Sequence, residues 1–200
     1  DHPVHSGIWC GPVPDAASAL GVILGRLFDA RGQVAVPGFA QDVPPLSPAA
    51  RAELAALPFD TAAFRADAGL LAGARLGGAA AASVYERLWL QPALAVTALE
   101  AVPLAQAANQ LIDRAAARIG VRLAPGQDPE RMRQRMLAHL TADPPWGVEV
   151  EARCEAAVAG WRVDPSGPAF EAARRALAAG YGRAPVHIGC GGTIPFVAPF

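Results

Sequence analysis

Lysine is absent from this chain of 200 residues, so arginine is its only cationic side chain besides histidine. The formal net charge is −1, and no run of arginines is interleaved with aromatic residues. A nucleic-acid-binding surface needs such a concentration of positive charge. The sequence therefore excludes nucleic acid as the expected partner.

Long apolar runs are also absent, and cysteine is scarce. No segment reaches the ~18 consecutive apolar residues that a membrane-spanning helix needs. The first residues show no basic stretch followed by an apolar core, so we expect no secretory signal peptide and no membrane partner. Cys10, Cys154 and Cys190 are widely spaced and form no CxxC pair. They predict reduced thiols and a cytoplasmic protein.

The local motifs of common hydrolases and metal sites are missing as well. The sequence contains no HExxH, HxH, GxSxG or P-loop motif. His2 and His5 are three residues apart, so on an extended backbone they point to opposite faces. No metal site held wholly by this chain is predicted. The glycines around Cys190 are a weak signal, more typical of a tight turn than of an anion site.

What the sequence does contain is enough apolar material for a packed core. Hydrophobic residues make up 52% of the chain and charged residues 18%, which argues against disorder. The length of 200 residues fits one large domain or one and a half small ones. The chain opens at Asp1 without methionine and stops inside the apolar run 194–200. We expect both ends to be cut from a longer protein.

The hydrophobic periodicity predicts an α+β fold of the ferredoxin-like βαββαβ type. Strands are expected over 4–9, 92–102, 114–123 and 148–155, and the main helices begin after Asp15 and at Pro129. They would form one antiparallel four-stranded sheet with two helices on one face. A proline-punctuated insertion at about 33–88 carries short helices near 48–57, 60–67 and 79–87. We assign residues 1–160 to this domain and 161–200, with a helix at 169–179, to a different one.

Three side chains, Arg122, His5 and Asn109, have both a structural and a functional interpretation, and Cys154 has a structural one. Arg122 faces away from the core on its strand, where it is either a solvated arginine or a fork for a carboxylate or phosphate. His5 is either a surface histidine or a donor to developing negative charge. Asn109 either caps its loop or binds substrate. Cys154, on the apolar side of its predicted strand, is expected to be buried.

The motifs HSG with GPVPD, RLAPGQDP and GGTIP, in this order, resemble the dimerisation (lid) domain of zinc-dependent metallopeptidases. That family includes carnosine dipeptidase, carboxypeptidase G, acetylornithine deacetylase and succinyl-diaminopimelate desuccinylase. The similarity covers nearly the whole chain. The proline-rich insertion indicates the longer, dipeptidase-like branch.

The resemblance implies a homodimeric hydrolase of peptide or amide bonds. Its catalytic domain holds two zinc ions, and the present chain is its lid, residues 1–160, followed by a first segment of the returning catalytic domain, residues 161–200. His5 stands where the family's histidine reaches into the partner's active site to stabilise an oxyanion. Asn109 and Arg122 match substrate-binding positions for a substrate with a free carboxylate. The substrate-contacting turn corresponds to Gly191, Gly192 and Thr193.

Two departures from the family pattern stand out. The usual NVIP is replaced by residues 109–112, NQLI, and Cys190 stands where serine or glutamate is common. The zinc ligands and the general base of the family do not occur in these residues, so the chain alone should be inactive. The alternative is a stand-alone ferredoxin-like module for dimerisation or small-ligand binding, without catalysis.

Overall fold

The computed structural model describes residues 2–78 and 81–190, which contain four strands and seven α-helices. The strands are β1 (Val4–His5), β2 (Ala93–Glu100), β3 (Gln110–Leu111) and β4 (Ala116–Arg122). The helices are α1 (Ser6–Trp9), α2 (Ala16–Gly25), α3 (Pro48–Ala56), α4 (Thr61–Asp67), α5 (Val84–Trp89), α6 (Pro129–Thr141) and α7 (Pro168–Tyr181). Short 3₁₀ turns occupy Leu104–Gln106 and Pro145–Gly147. No described helix is long and apolar enough to cross a membrane.

Strands β2 and β4 form the main antiparallel pair and confirm the strands predicted there. The register runs from Ala93 opposite Arg122 to Glu100 opposite Ala116, with an irregularity between Val96 and Ala98. Alternate residues on these strands turn toward the helices, as a period of two requires. The exposed face of β4 carries Arg118 and Arg122.

Helices α2 and α6 and the loop after α2 pack on one face of this pair. The buried core consists of Leu27, Val36, Phe39, Met132 and Met136. Leu94, Val96, Ile119 and Val121 of the two strands pack against it. Both helices begin at an aspartate whose carboxylate accepts backbone N–H groups of the first turn, Asp15 for α2 and Asp128 for α6. These caps explain why both helices start where the sequence predicts.

A buried glutamine fastens the insertion to the main domain. Gln127 accepts a hydrogen bond from the Ala124 N–H at 2.9 Å and donates one to the Phe39 carbonyl at 2.9 Å. Nearby, Arg135 donates to the Gly38 carbonyl at 2.8 Å and pairs with Asp42 at 2.7 Å. Residues 38–42 are therefore held against α6, although they lie in the stretch predicted to be a loop-like insertion.

The predicted strand over 148–155 does not form. Val148, Val150 and Ala152 keep the alternating burial of a strand, but the segment has no ladder to any described residue. It meets β4 through the ion pair of Arg118 and Glu155, two long side chains that reach across the space between the backbones. The prediction for Cys154 is wrong as well. Its thiol is exposed, because no neighbouring strand covers that side.

The strand predicted over 4–9 is only two residues long in the structure. Strand β1 pairs only with β3, Val4 opposite Leu111 and His5 opposite Gln110, and α1 begins at Ser6. The His5 side chain caps that helix, and this local bond competes with strand geometry. The described residues thus hold two two-stranded sheets, and the four-stranded ferredoxin-like sheet is not formed among them.

The insertion and the last helix follow the sequence prediction more closely. Helices α3 and α4 lie within two residues of the predicted ranges, and α7 extends the predicted 169–179 by one residue at its start and two at its end. The third short helix of the insertion starts at Val84 instead of 79. Large apolar side chains of the last segment are exposed at Leu177, Tyr181, Val186 and Ile188.

Candidate functional site

His5 is held in one defined orientation and one tautomer at the junction of β1 and α1. Its Nδ1 accepts a hydrogen bond from the Gly7 N–H at 3.1 Å, so this nitrogen carries no proton. In the neutral ring the proton must then be on Nε2. The side chain is exposed. His5 therefore presents an N–H donor to whatever approaches from outside.

The glycine two residues after His5 is part of the same arrangement. A Cβ atom at Gly7 would lie 3.0 Å from Cε1 and 3.2 Å from Nδ1 of the imidazole, closer than ordinary van der Waals contact. Any other residue at this position would press on the ring that accepts its N–H. In the sequence, this requirement for glycine is visible only as the spacing of His5 and Gly7 in the HSG motif. The sequence alone did not explain that spacing.

Asn109 lies next to His5 through the β1–β3 pair. Its backbone carbonyl accepts the Ser6 N–H at 2.8 Å, and the following residue is paired with His5 across the ladder. Both side chains are exposed. The structure thus brings together two of the residues that the sequence singled out.

Asp15, which ends the GPVPD motif, is committed to a structural role. Its carboxylate accepts the Ser18 N–H at 2.9 Å and caps α2. Hydrogen bonds from the Ser18 side chain and backbone hold the pKa of Asp15 below its usual value. This carboxylate is therefore ionised and occupied near neutral pH, which makes it unsuited to proton transfer.

Arg122 does not join His5 and Asn109 in one cluster. It is exposed at the carboxyl end of β4, opposite Ala93. The β1–β3 pair lies near the other end of β4, because the Ala16 N–H donates to Ile112 just after β3, and Ala17 lines one groove with Ala115. The six residues from Ala116 to Arg122 span about 20 Å. The guanidinium is available as a fork for an anion, at a place separate from the His5 donor.

Two of the expected features cannot be placed on this structure. Gly191, Gly192 and Thr193 lie outside the described residues. Across residues 2–78 and 81–190, no three His, Cys, Asp or Glu side chains are grouped so that they could hold a metal ion. A metal centre would need ligands from elsewhere.

A shallow apolar groove runs between α2 and the end of β2. Its volume is about 240 Å³, and it is lined by Ala17, Leu20, Gly21, Leu24, Leu99, Glu100, Ala101 and Ala115. Helix α2 has no charged residue, although only Ala19 and Ile23 are buried. Val22 is 40% exposed and Leu99 67%. A helix that is apolar all round is typically covered on more than one side.

Comparison with known protein families gives a match over most of the chain. A sequence model described as a peptidase dimerisation domain matches residues 1–148. The chain is 31% identical over 194 residues to the cysteinylglycine-S-conjugate dipeptidase of Corynebacterium striatum, covering 96% of this chain and 41% of that protein. It is 26% identical over 210 residues to the Cys-Gly metallodipeptidase of Saccharomyces cerevisiae, covering 98% and 41%. The chain thus spans about two fifths of the length of these relatives.

Solved structures share the fold. The crystal structure of human carnosine dipeptidase 1 superposes with a TM-score of 0.81 at 22% identity, covering 99% of this chain and 42% of that one. A metallo-carboxypeptidase from Sulfolobus solfataricus gives 0.79 at 22% identity, covering 98% and 50%. At these identities the likeness establishes the fold alone.

Proposed function

The chain belongs to the peptidase dimerisation domain family, and from that membership we propose that it is the lid and dimerisation part of a metallopeptidase that hydrolyses dipeptides or related amides. The motifs HSG, RLAPGQDP and GGTIP predicted this family. The proposed substrate is a peptide or amide with a free carboxylate. The alternative of a stand-alone module without catalysis is not favoured, because both dipeptidase relatives align with nearly the whole chain.

The observation that carries the proposal is the fixed donor of His5. Hydrolysis of an amide passes through a tetrahedral intermediate whose oxygen is negatively charged. An N–H donor that is oriented in advance stabilises this charge without reorganisation during the reaction. Since Gly7 occupies Nδ1, the Nε2 proton of His5 is the group that meets the oxyanion. Asn109, beside it, donates its side-chain amide to the same substrate.

The separation of Arg122 from His5 supports a site shared between two subunits. Two residues of extended peptide span at most about 7 Å. One dipeptide therefore cannot reach both ends of β4, which lie about 20 Å apart. We assign His5 and Asn109 to the partner's active site, and Arg122 to the substrate carboxylate in a different active site of the same dimer.

The chemistry of bond cleavage belongs to residues outside this chain. Two zinc ions are the cofactors proposed for the whole enzyme, and the described residues do not fit as their ligands. Gly191, Gly192 and Thr193 would add backbone and hydroxyl contacts to the substrate. Residues 1–160 would form the lid, with its insertion at 33–88, and residues 161–200 would return to the catalytic domain.

This division predicts where activity is found. The full-length protein is expected to hydrolyse unmodified dipeptides, and the 200-residue chain alone to show none, since it has no metal centre among its described residues. The measurement is release of free amino acids from a small dipeptide panel, with the metal-stripped full-length protein as control. Hydrolysis by the isolated chain at the full-length rate would contradict the assignment.

A four-stranded ferredoxin-like sheet is our proposal for the intact lid. The segment 148–160 runs parallel to β4, because Glu155 meets Arg118 and Gly160 lies against Pro125. Two strands on either side of a third are about 10 Å apart, a gap that an arginine and a glutamate can bridge. An antiparallel strand between them, from outside residues 2–78 and 81–190, would complete the sheet.

The groove between α2 and β2 is the proposed contact between two copies of the lid. A helix without charges and an exposed leucine at the end of an edge strand provide the apolar centre that a stable homodimer needs. The three exposed cysteines suit a reducing compartment, so a cytoplasmic homodimer is proposed.

A charge placed in this groove is expected to separate the subunits. Leu99→Asp should weaken dimerisation of the full-length protein about 30-fold, because it buries an unpaired carboxylate at an apolar centre. Sedimentation over a range of concentrations measures the change. Leu71→Asp is the matched control, since Leu71 is equally apolar, 82% exposed and far along the chain in the insertion. A Leu99→Asp dimer as tight as the wild type would rule out this surface.

A further inference from the structure

Arg122 is the last residue of β4, and a tight turn begins two residues after it. Residues 124–127, APGQ, form this turn, in which the Gln127 N–H donates to the Ala124 carbonyl at 3.1 Å. Proline and glycine stand at the two central positions, and Gly126 has φ +92°, as the third position of a type II turn requires. The local sequence therefore favours a single backbone conformation just beyond Arg122.

The side chain of Gln127 closes this turn from inside. Its Oε1 accepts the Ala124 N–H at 2.9 Å, so the first and last residues of the turn are joined twice. Its Nε2 donates to the Phe39 carbonyl in the insertion, also at 2.9 Å. Gln127 is 3% exposed and Ala124 1%, so water does not compete for these bonds. Loss of this side chain would leave a buried N–H and a buried carbonyl without partners.

Two further segments pack closely against the turn. A Cβ atom at Gly126 would lie 2.8 Å from Cγ of Pro44, which belongs to the insertion. A Cβ atom at Gly160 would lie 3.3 Å from Cα of Pro125. The turn is thus in contact with both the insertion and the segment 148–160.

Strand pairing alone gives Arg122 less support than the turn does. Within residues 2–78 and 81–190, β4 has one neighbouring strand, β2, and Arg122 lies opposite Ala93 at the very end of that ladder. The ends of such elements open easily unless the residues beyond them are tied down. For Arg122, the tie is the turn that Gln127 closes.

We propose that Gln127 is a positioning residue for Arg122. By holding the turn against Phe39, Gln127 keeps the end of β4, and with it the guanidinium, in the orientation that a carboxylate needs. A two-pronged arginine pair depends on its orientation, so a small displacement of the strand end weakens it. The inference rests on the proposed function, in which Arg122 binds the substrate carboxylate. It gives the insertion a part in substrate binding without a contact to the substrate.

The test compares two substrates of the full-length enzyme, a dipeptide and the corresponding dipeptide amide. Gln127→Met has a similar volume but forms neither side-chain hydrogen bond. It should raise KM for the dipeptide about fivefold and leave KM for the amide unchanged, because only the dipeptide presents a carboxylate to Arg122. KM does not depend on how much of the enzyme is folded, so lower stability alone does not produce this difference.

A double-mutant cycle shows whether the effect passes through Arg122. In the Arg122→Ala background, Gln127→Met is expected to leave KM for the dipeptide unchanged, since the interaction that it disturbs is already absent. Gln127→Asn keeps the amide group but is shorter, so it cannot reach both partners. It should raise KM in the same direction by less, and it takes the place of Gln127→Met if that variant does not fold.

Another glutamine of the insertion provides the matched control. Gln33 donates its side-chain amide to the Gly78 carbonyl at 3.0 Å, a bond of the same kind between two residues of the insertion. Gln33→Met should leave both KM values unchanged. A purely structural role for Gln127 would lower the melting temperature while the two KM values stayed constant or rose equally. That result, or a rise in KM that persists in the Arg122→Ala background, would overturn the proposal.

Failure of the proposed function gives a different signature. If the wild-type full-length protein hydrolyses no dipeptide, or if Arg122→Ala affects dipeptide and amide equally, the assignment of Arg122 fails by itself. Positioning by Gln127 is then judged from hydrogen exchange at the backbone N–H of Arg122, which Gln127 does not bond. Faster exchange in Gln127→Met than in Gln33→Met would support the positioning of this strand end, and equal exchange would refute it.

Discussion

His5→Ala in the full-length protein is expected to lower kcat by about 10²–10³-fold, the usual cost of losing one oxyanion donor. KM should change little, because the donor meets its charge only in the transition state. Steady-state kinetics with a dipeptide substrate measures both quantities. Turnover close to wild type would remove His5 from the mechanism.

His5 also caps α1, and a second variant separates this role from the donor role. Asparagine is a good capping residue, so His5→Asn should still accept the Gly7 N–H and keep the local fold. It lacks a donor at the position of Nε2, so kcat should fall as it does in His5→Ala. His2→Ala, which changes a nearby exposed histidine, should leave turnover unchanged.

Because His5 is proposed to act in the partner's site, mixed dimers give a further readout. A protein that lacks a catalytic-domain base and a His5→Ala protein should each have very low activity as homodimers. Combined, they should regain activity at one of the two sites of the mixed dimer. No recovery after verified subunit exchange would contradict action across the dimer.

Arg122→Ala is expected to raise KM for substrates with a free carboxylate by about 10²-fold. A charge-assisted hydrogen-bond pair contributes about 1.5–3 kcal/mol, and its loss appears mainly as weaker binding. Arg122→Lys keeps the charge but not the two-pronged geometry, so it should recover only part of the loss. The measurement is KM for each variant with the same dipeptide.

A substrate that lacks the free carboxylate provides the second part of the test of Arg122. With a dipeptide amide, wild-type and Arg122→Ala enzymes should show similar KM values, because the interaction is already missing. Arg118→Ala is the control on the same exposed face of β4, where its guanidinium pairs with Glu155 instead. If Arg122→Ala raises KM equally for the dipeptide amide and for the dipeptide with a free carboxylate, the assignment of Arg122 to the substrate carboxylate is wrong.

Local rules in the sequence predicted the parts of the fold that depend on local interactions. The caps at Asp15 and Asp128 and the alternation along β2 and β4 were read correctly, because each feature is decided by residues near in sequence. The segment 148–155 shows the limit of this reasoning. Alternation reports which side chains are covered, and it cannot report whether a neighbouring backbone is present to complete a ladder.

In the candidate site, too, some features could be predicted from the sequence and others could not. That Arg122 faces outward followed from the strand period. That His5 caps a helix did not follow from the sequence. The residues around His5 have the regular pattern of a strand, and that pattern does not show the competing hydrogen bond of the His5 side chain.

Among residues 2–78 and 81–190, one edge of β4 has no partner strand, and this has a consequence for how the isolated chain behaves in solution. A strand with one edge open offers free N–H and C=O groups to any extended segment, including the same edge of another molecule. Arg118 on β4 and Glu155, its ion-pair partner on the segment 148–160, place charges on both borders of that opening. Charged side chains are a common defence against edge-to-edge aggregation, so high salt, which screens them, should shorten the soluble lifetime of the fragment.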